Sequence, residues 1–351
     1  MKEAHQTQQR PAKPIFIVGS PRSGTSILTW CLGQHPNLFP VPESSWLGHF
    51  AVNVAIGYQT GAARGDHSIL SAMDIREDEL FATLGQDIND LILRHRKDLE
   101  KKRETRSIEL KLEPRWLETA SAAGRPKRRW VDGTPEYSFY ICGLRKLFPD
   151  AQFVHVCRDA RAVVRSMLNF HRVAGIQLVA NEEEAYRYWI RTVSACLMAE
   201  RAYGANVVRR IRYADLTDNP ESTMRSLLDF LQEPYAEKCL EPLELRINSS
   251  TVPADFKADD ATTDPAVVEK ATQLCAKVEQ TPQPAEASSA TADEMEVAFR
   301  ERVRYVANLD NAYQMAQRII KTFNDPGLRS NLETEALEIA DPSASVLSRQ
   351  P

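Results

Sequence analysis

Pro14-Ile-Phe-Ile-Val-Gly-Ser-Pro-Arg-Ser-Gly-Thr-Ser26 is the stretch on which the fold turns. Its opening residues are apolar and β-rich, and Gly19-Ser20-Pro21 follows as a turn signal, which predicts a short buried strand. From Ser23 the pattern becomes helical. Ile27, Leu28 and Cys31 share one face, and Gly33 followed by Pro36 stops the helix near Leu32. A strand, a loop of small residues and a helix in immediate succession form a cradle for an anion. Small residues let the backbone wrap the ligand, and the helix N-terminus offers free N–H groups at the positive end of its dipole.

The spacing invites comparison with the nucleoside-triphosphate loop G-x-x-x-x-G-K-[ST]. Gly19 and Gly24 keep that spacing, but Thr25 stands in the lysine position and the cation has moved into the loop as Arg22. The missing lysine is the group that reaches the β- and γ-phosphates. No apolar strand ending in a metal-binding aspartate is evident either. The loop is therefore expected to hold a phosphate, but not a triphosphate with magnesium.

Further along, Gln152-Phe-Val-His-Val-Cys157 reads as a second buried strand, followed at once by Arg158-Asp159 and a helical stretch to about Phe170. Arg158 falls at the carboxyl end of that strand, where open α/β sheets place their ligands. Ser166 lies about two helical turns on. An arginine at a strand tip and a serine from the next helix can hold a second phosphate through charge-assisted bonds; the alternative is a surface pair between Arg158 and Asp159. Ala205 to Ile211 reads as another strand, followed by Tyr213-Ala-Asp-Leu216 and an amphipathic helix from Glu221 to Leu231. Strand–helix alternation of this kind predicts an α/β, P-loop-like, three-layer fold with a central parallel sheet flanked by helices. Two anion sites in one such domain favour a nucleotide with two separate phosphate groups.

At these residues the chain resembles the sulfotransferases that use 3′-phosphoadenosine 5′-phosphosulfate (PAPS). Pro21-Arg-Ser-Gly-Thr-Ser26 looks like the family's 5′-phosphosulfate loop, and Arg158-Asp-Ala-Arg-Ala-Val-Val-Arg-Ser166 looks like its 3′-phosphate motif. Tyr213-Ala-Asp-Leu216 is similar to a family segment whose tyrosine lies near the adenine. The arginine form of the loop is most similar to the tyrosylprotein and related bacterial branch, and the resemblance covers roughly residues 14–235. It implies PAPS as donor, with no metal, and an acceptor hydroxyl or amine on a carbohydrate, lipid, peptide or small natural product. It implies donor binding by Arg22, Ser23, Gly24, Thr25, Ser26, Arg158, Ser166 and Tyr213, with Arg22 also catalytic. In the arginine-loop branch a glutamate base follows a His-Pro element; here His35-Pro36 is followed by Glu43, the candidate base. One departure stands out: Asp132-Gly133-Thr134-Pro135 places glycine where the family often carries lysine, leaving Asp132 as a reserve acid–base candidate. The rival readings are a P-loop kinase of a small molecule and a non-catalytic nucleotide-binding scaffold.

The remaining sequence sets the frame. A net charge of -4 argues against a nucleic-acid-binding surface, so an anion site must be local. Six cysteines without a C-x-x-C pair do not form a zinc or redox motif. The polar N-terminus has no apolar core of signal-peptide length, and no apolar run approaches the ~20 residues of a membrane span; the expectation is a cytoplasmic protein. Residues 1–13 are expected as a flexible leader, 14–250 as the catalytic domain and 251–292 as an irregular linker. A C-terminal helical extension over 293–325 and a disordered tail over 326–351 complete the division. Gly124-Arg-Pro-Lys-Arg-Arg129 reads either as a solvated turn or as a basic rim for an anionic substrate. Trp46, Phe50 and Tyr58 are candidates for the acceptor pocket or for the core. His49, His155 and His171 lack metal-ligand spacing and read as structural.

Overall fold

The computed structural model describes residues 13–109, 127–244 and 260–324, together with 252, 256 and 258. Its centre is a five-stranded, all-parallel sheet. The strands are β1 (Ile15–Gly19), β2 (Leu38–Pro40), β3 (Arg129–Asp132), β4 (Gln152–Cys157) and β5 (Val208–Arg212), in the order β2-β3-β1-β4-β5. Every residue of β1, β3 and β4 is buried. Strands covered on both faces read as unbroken apolar runs rather than alternating ones, which is why β1 and β4 were legible in sequence.

The two faces have different cores. Ile15 and Ile17 point to one side, with Leu28, Leu32, Val154, Leu216 and Leu227. Phe16 points to the other, where its ring meets Trp130 and Tyr137 edge-on and stacks on Phe153. This period-two division on a single strand is what a helix-covered sheet requires. The fold is the expected three-layer α/β architecture.

β2 and β3 were not predicted. β2 has only three residues, and β3, Arg-Trp-Val-Asp, has a charge at each end. The Arg129 charge is accommodated because its guanidinium donates to the carbonyls of Lys13 and Leu231, to Gln152 and to Glu233. Lys127 is also buried, with Nζ donating to the Gly33 carbonyl. Both readings of the basic stretch therefore fail at Lys127 and Arg129: these cations are buried, tying the start of β3 to neighbouring segments. Residues 124–126 lie outside the described residues.

Within 251–292, expected as irregular linker, Pro265–Gln280 is a helix, with Asp264 as its N-cap accepting from the Ala266 N–H. Val267, Ala271 and Val278 pack into the cluster formed by Val163, Trp189 and Val193. The last described helix runs Ser289–Asn324. The chain divides into two compact units after Phe299, and the described part of the second is the remainder of this helix, whose Leu309, Tyr313 and Ile320 are exposed. The expected leader (apart from Lys13) and tail lie outside the described residues. Among the described residues no helix is long and apolar enough to cross a membrane.

Candidate active site

The chain leaves β1 for β2 and β3 on one side, then crosses to β4 and β5 on the other. A crevice opens at the carboxyl ends of the strands where the order reverses, and the Ser20–Gly24 loop lies there. Gly19 has φ +149, and a β-carbon on it would stand 2.5 Å from the Val156 carbonyl oxygen. Gly24 has φ +111, and a β-carbon there would stand 2.5 Å from the Tyr213 ring. Arg22 is left-handed at φ 70, a strain that typically costs about 1–3 kcal/mol and concentrates at ligand-binding turns. The Gly19 N–H donates to Ser138 Oγ at 2.9 Å, and Ser138 Oγ donates to the Pro135 carbonyl at 2.7 Å. The loop is thus anchored from β3's side of the sheet.

Ser23 is 1% exposed, and its hydroxyl has no hydrogen-bond partner among the described residues. Buried hydroxyls are almost always paired. An orphaned one inside a loop of small residues, before a nine-residue helix (Thr25–Gly33), fits a phosphate oxygen.

The second arm comes from β4. Arg158 Nη1 donates to the Arg22 carbonyl at 3.1 Å, and its guanidinium lies 4.3 Å from the Tyr213 ring centre. The Trp189 indole N–H donates to the Arg158 carbonyl at 3.2 Å and fixes the backbone. Asp159 does not claim Arg158: its carboxylate caps the helix Ala160–Leu168, accepting from the Ala162 N–H at 2.8 Å. Ser166, on that helix, accepts from Arg22 Nε at 3.2 Å, and the Arg22 guanidinium lies 4.6 Å from the Phe170 ring centre. Burial and then the Arg158 charge pull the Arg22 pKa down, against the pull of Glu43.

Glu43 lies on the opposite lip, in the segment between β2 and the helix Trp46–Ala62. Its Oε1 accepts from Ser26 Oγ at 2.9 Å. Desolvation raises its pKa, as does the nearby Glu136 charge, while the Ser26 bond and Arg22 oppose the rise. The candidate residues form one constellation: Glu43 meets Ser26, Arg22 meets Ser166, Arg158 meets Arg22, and Tyr213 touches both Arg158 and Gly24. Thr25 is buried at the head of the loop helix.

Two sequence readings need correction. A strand beside β1 does end in an aspartate: β3 closes on Asp132. Its Oδ1 accepts from the Thr134 N–H at 3.0 Å and from Thr134 Oγ1 at 2.5 Å. Burial drives its pKa up to about 7 against those two bonds. No cluster of three or more metal-ligating side chains occurs among the described residues. Gly133 is not merely a lost lysine: a β-carbon there would stand 2.1 Å from Thr29 Oγ1, so the loop helix occupies the space a side chain would need. Tyr58, a candidate for the acceptor pocket, donates instead to the Ile75 carbonyl at 3.0 Å. Trp46, next along from Glu43, is 47% exposed, with its ring 5.8 Å from Phe50.

Sequence reasoning missed Ser138, Thr134, Tyr137 and Phe170. Thr134 stands in the Asp132-Gly133-Thr134-Pro135 segment without a role assigned to it; the other three carry no motif, and all four enter by tertiary contact. An open groove of about 580 Å³ along the outer edge of β5 includes Arg212 and Asp215 but none of the loop residues.

A family model described as "Sulfotransferase family" matches residues 14–237. Protein-tyrosine sulfotransferase 1 of Danio rerio is 23% identical over 232 residues, covering 66% of this chain and 56% of that protein. Its Homo sapiens counterpart is 23% identical over 232 residues, covering 66% of this chain and 54% of that protein. The chain thus spans little more than half the length of these relatives. Among solved structures, the sulfotransferase domain of the Synechococcus PCC 7002 olefin synthase aligns with a TM-score of 0.41 at 19% identity, covering 85% of this chain and 98% of that one. A Mycobacterium avium sulfotransferase aligns with a TM-score of 0.42 at 17% identity, covering 80% and 79%.

Proposed function

The chain belongs to the sulfotransferase family, and from that premise we propose that it transfers a sulfuryl group from PAPS to a hydroxyl or amine of its acceptor. The observation that carries the donor assignment is the orphaned Ser23 hydroxyl in a strained loop flanked by Arg22 and Arg158. Ser23, Gly24, Thr25 and Ser26 hold the 5′-phosphosulfate. Arg158 and Ser166 hold the 3′-phosphate, and Tyr213 borders the adenine.

In the proposed reaction the acceptor oxygen or nitrogen bonds to sulfur as its proton passes to Glu43. The bond between sulfur and the bridging oxygen breaks, and its electron pair remains on the 5′-phosphate. Arg22 and the loop amides meet that growing charge, a preorganised interaction whose loss typically costs about 10²–10³ in rate. A glutamate with a raised pKa is a better proton acceptor near neutral pH than an ordinary one. The scheme needs no metal ion, because arginine and amide groups supply the positive charge. Five of the six cysteines are buried, all six as free thiols, a state that a reducing compartment maintains; a cytoplasmic site of action is part of the proposal.

Asp132 at the end of β3 is the one feature that favours a magnesium-nucleotide kinase. Calorimetry separates the readings. Metal-independent binding of 3′-phosphoadenosine 5′-phosphate (PAP) in preference to ADP supports the transferase. Preference for ATP with magnesium would establish the kinase, and binding of neither would leave a scaffold.

A further inference from the structure

The segment that carries Glu43 is tied to the end of β3 by an unusually complete set of bonds. The Ser44 N–H donates to Thr134 Oγ1 at 2.8 Å, and the Ser44 carbonyl accepts from the Tyr137 hydroxyl. Thr134 is itself oriented: its hydroxyl donates to Asp132 Oδ1 at 2.5 Å, and its N–H donates to the same oxygen at 3.0 Å. With its proton directed at Asp132, Thr134 Oγ1 turns a lone pair toward Ser44. One residue earlier, the Glu43 carboxylate accepts from Ser26 Oγ on the loop helix. At the start of the segment, the Val41 N–H donates to the Val131 carbonyl at 2.8 Å.

None of Asp132, Thr134 and Tyr137 is open to solvent: they are 1%, 2% and 0% exposed. Tyr137 is held by its ring against Phe16. The buried segment that follows β3, from Thr134 into the helical turn Pro135–Phe139, thus bonds both polar backbone groups of the residue next to Glu43.

We propose that Asp132, Thr134 and Tyr137 form a positioning clamp that holds the Glu43 carboxylate on Ser26 and over the phosphate loop. The clamp rests on the reading of Glu43 as the base. It gives Asp132 a role other than acid–base exchange or metal binding: it fixes the direction of the Thr134 hydroxyl. It also accounts for a tight Gly133, because the strand end must lie against Thr29 for Thr134 to reach Ser44. Positioning of this kind matters because a displacement of about 1 Å can cost on the order of 100-fold in rate.

The test reads Glu43 directly and needs no acceptor. A carbon-13 carboxyl titration of Glu43, assigned with E43Q, is compared in wild type, T134V, T134S and Y137F, alongside amide exchange at Ser44. Ser26, Arg22, Asp132 and Glu136 are the groups that face or bias this carboxylate. The clamp predicts that T134V exposes the Ser44 amide to exchange and moves the Glu43 titration down toward that of a free carboxylate. T134S, which keeps the hydroxyl, restores both. Y137F, which keeps its ring in the core, shifts the titration in the same direction should T134V fail to fold. An unchanged Glu43 titration in T134V or Y137F overturns the clamp.

Turnover, followed as PAP released from PAPS, then links position to chemistry. T134V should lower it about 10- to 100-fold in a Glu43 background and have no further effect in E43Q. Additive losses overturn the clamp. Near-normal turnover in E43Q instead removes Glu43 as the base, while the titration still decides whether the clamp exists.

Discussion

Arg22 donates to Ser166, Arg158 donates to the Arg22 carbonyl, and Tyr213 lies under Arg158 and against Gly24. In the proposed donor site these side chains serve different parts of the nucleotide, so single substitutions should separate their roles. Arg158→Ala should weaken PAP binding by about 10- to 150-fold, the equivalent of the ~1.5–3 kcal/mol carried by a charged hydrogen bond. Calorimetry reads this directly, and an unchanged affinity would remove Arg158 from the 3′-phosphate site. Glu43→Gln should leave PAP affinity intact and lower turnover by roughly 10²–10⁴, the range of general-base contributions. Arg158 drew notice in the sequence because it follows a recognisable strand, whereas Glu43 was singled out only through the family resemblance at His35-Pro36. The partner of Glu43, Ser26, was legible only as part of the loop; nothing in its spacing announced a bond to a residue 17 positions away.

Within the elements, β4, β5 and the helix Glu182–Tyr203 are joined by a buried charge network. His155 Nδ1 and Glu200 Oε1 lie 2.6 Å apart, and Arg210 Nε donates to both Glu200 oxygens at 3.1 Å. His155 and Glu200 are fully buried. Burial alone would lower the histidine pKa, but Cys196 and Glu200 reverse the shift and raise it to about 10. His155 and then Arg210 hold the Glu200 carboxyl below its usual range despite burial. A raised histidine pKa means that the folded state keeps a proton the unfolded chain releases. Its stabilising contribution is therefore complete below the ordinary value of 6.5 and is lost as pH rises through about 10. The Glu200 contribution is lost at the other end, as pH falls below the ordinary 4.5. Urea unfolding should show falling stability between pH 6.5 and 10, and Glu200→Gln should flatten that slope. The same substitution should cost about 3–5 kcal/mol near pH 6, because it leaves two buried cations without their anion. The sequence marked His155 as structural from its place inside a strand. Its partners, 45 and 55 residues away, were set by the sheet register that puts His155 opposite Arg210.

For the whole molecule, the proposed donor site joins segments that follow β1 and β4 with the start of the helix Tyr213–Asp218, so donor binding there would couple to global unfolding. PAP at 100 times its dissociation constant should stabilise the fold by about 2.7 kcal/mol and raise the melting temperature by about 3–5 °C. ADP at the same concentration should do much less, since it lacks the 3′-phosphate that Arg158 and Ser166 would hold. Equal shifts with both would mean that the second anion site is not used. With a net charge of -4 the protein as a whole does not attract anions, so PAP affinity should fall only modestly with salt, as expected for a local, partly buried site.

By itself the sequence determined the strand–loop–helix at residues 14–33, the strand ending at Cys157 just before Arg158 and the order of the three motifs. These are local: a buried parallel strand is a short apolar run, and a phosphate loop is a run of small residues before a helix. Only the tertiary structure decided what the charged residues do. Lys127 and Arg129 went inward because carbonyls and Glu233 meet them there. A four-residue strand with an arginine and an aspartate at its ends has no hydrophobic signature, yet pairing with β1 and β2 makes it central. Thr134, oriented by Asp132, reaches Ser44 across 90 residues of chain, and a contact of that separation follows from sheet order and packing, which no local pattern encodes.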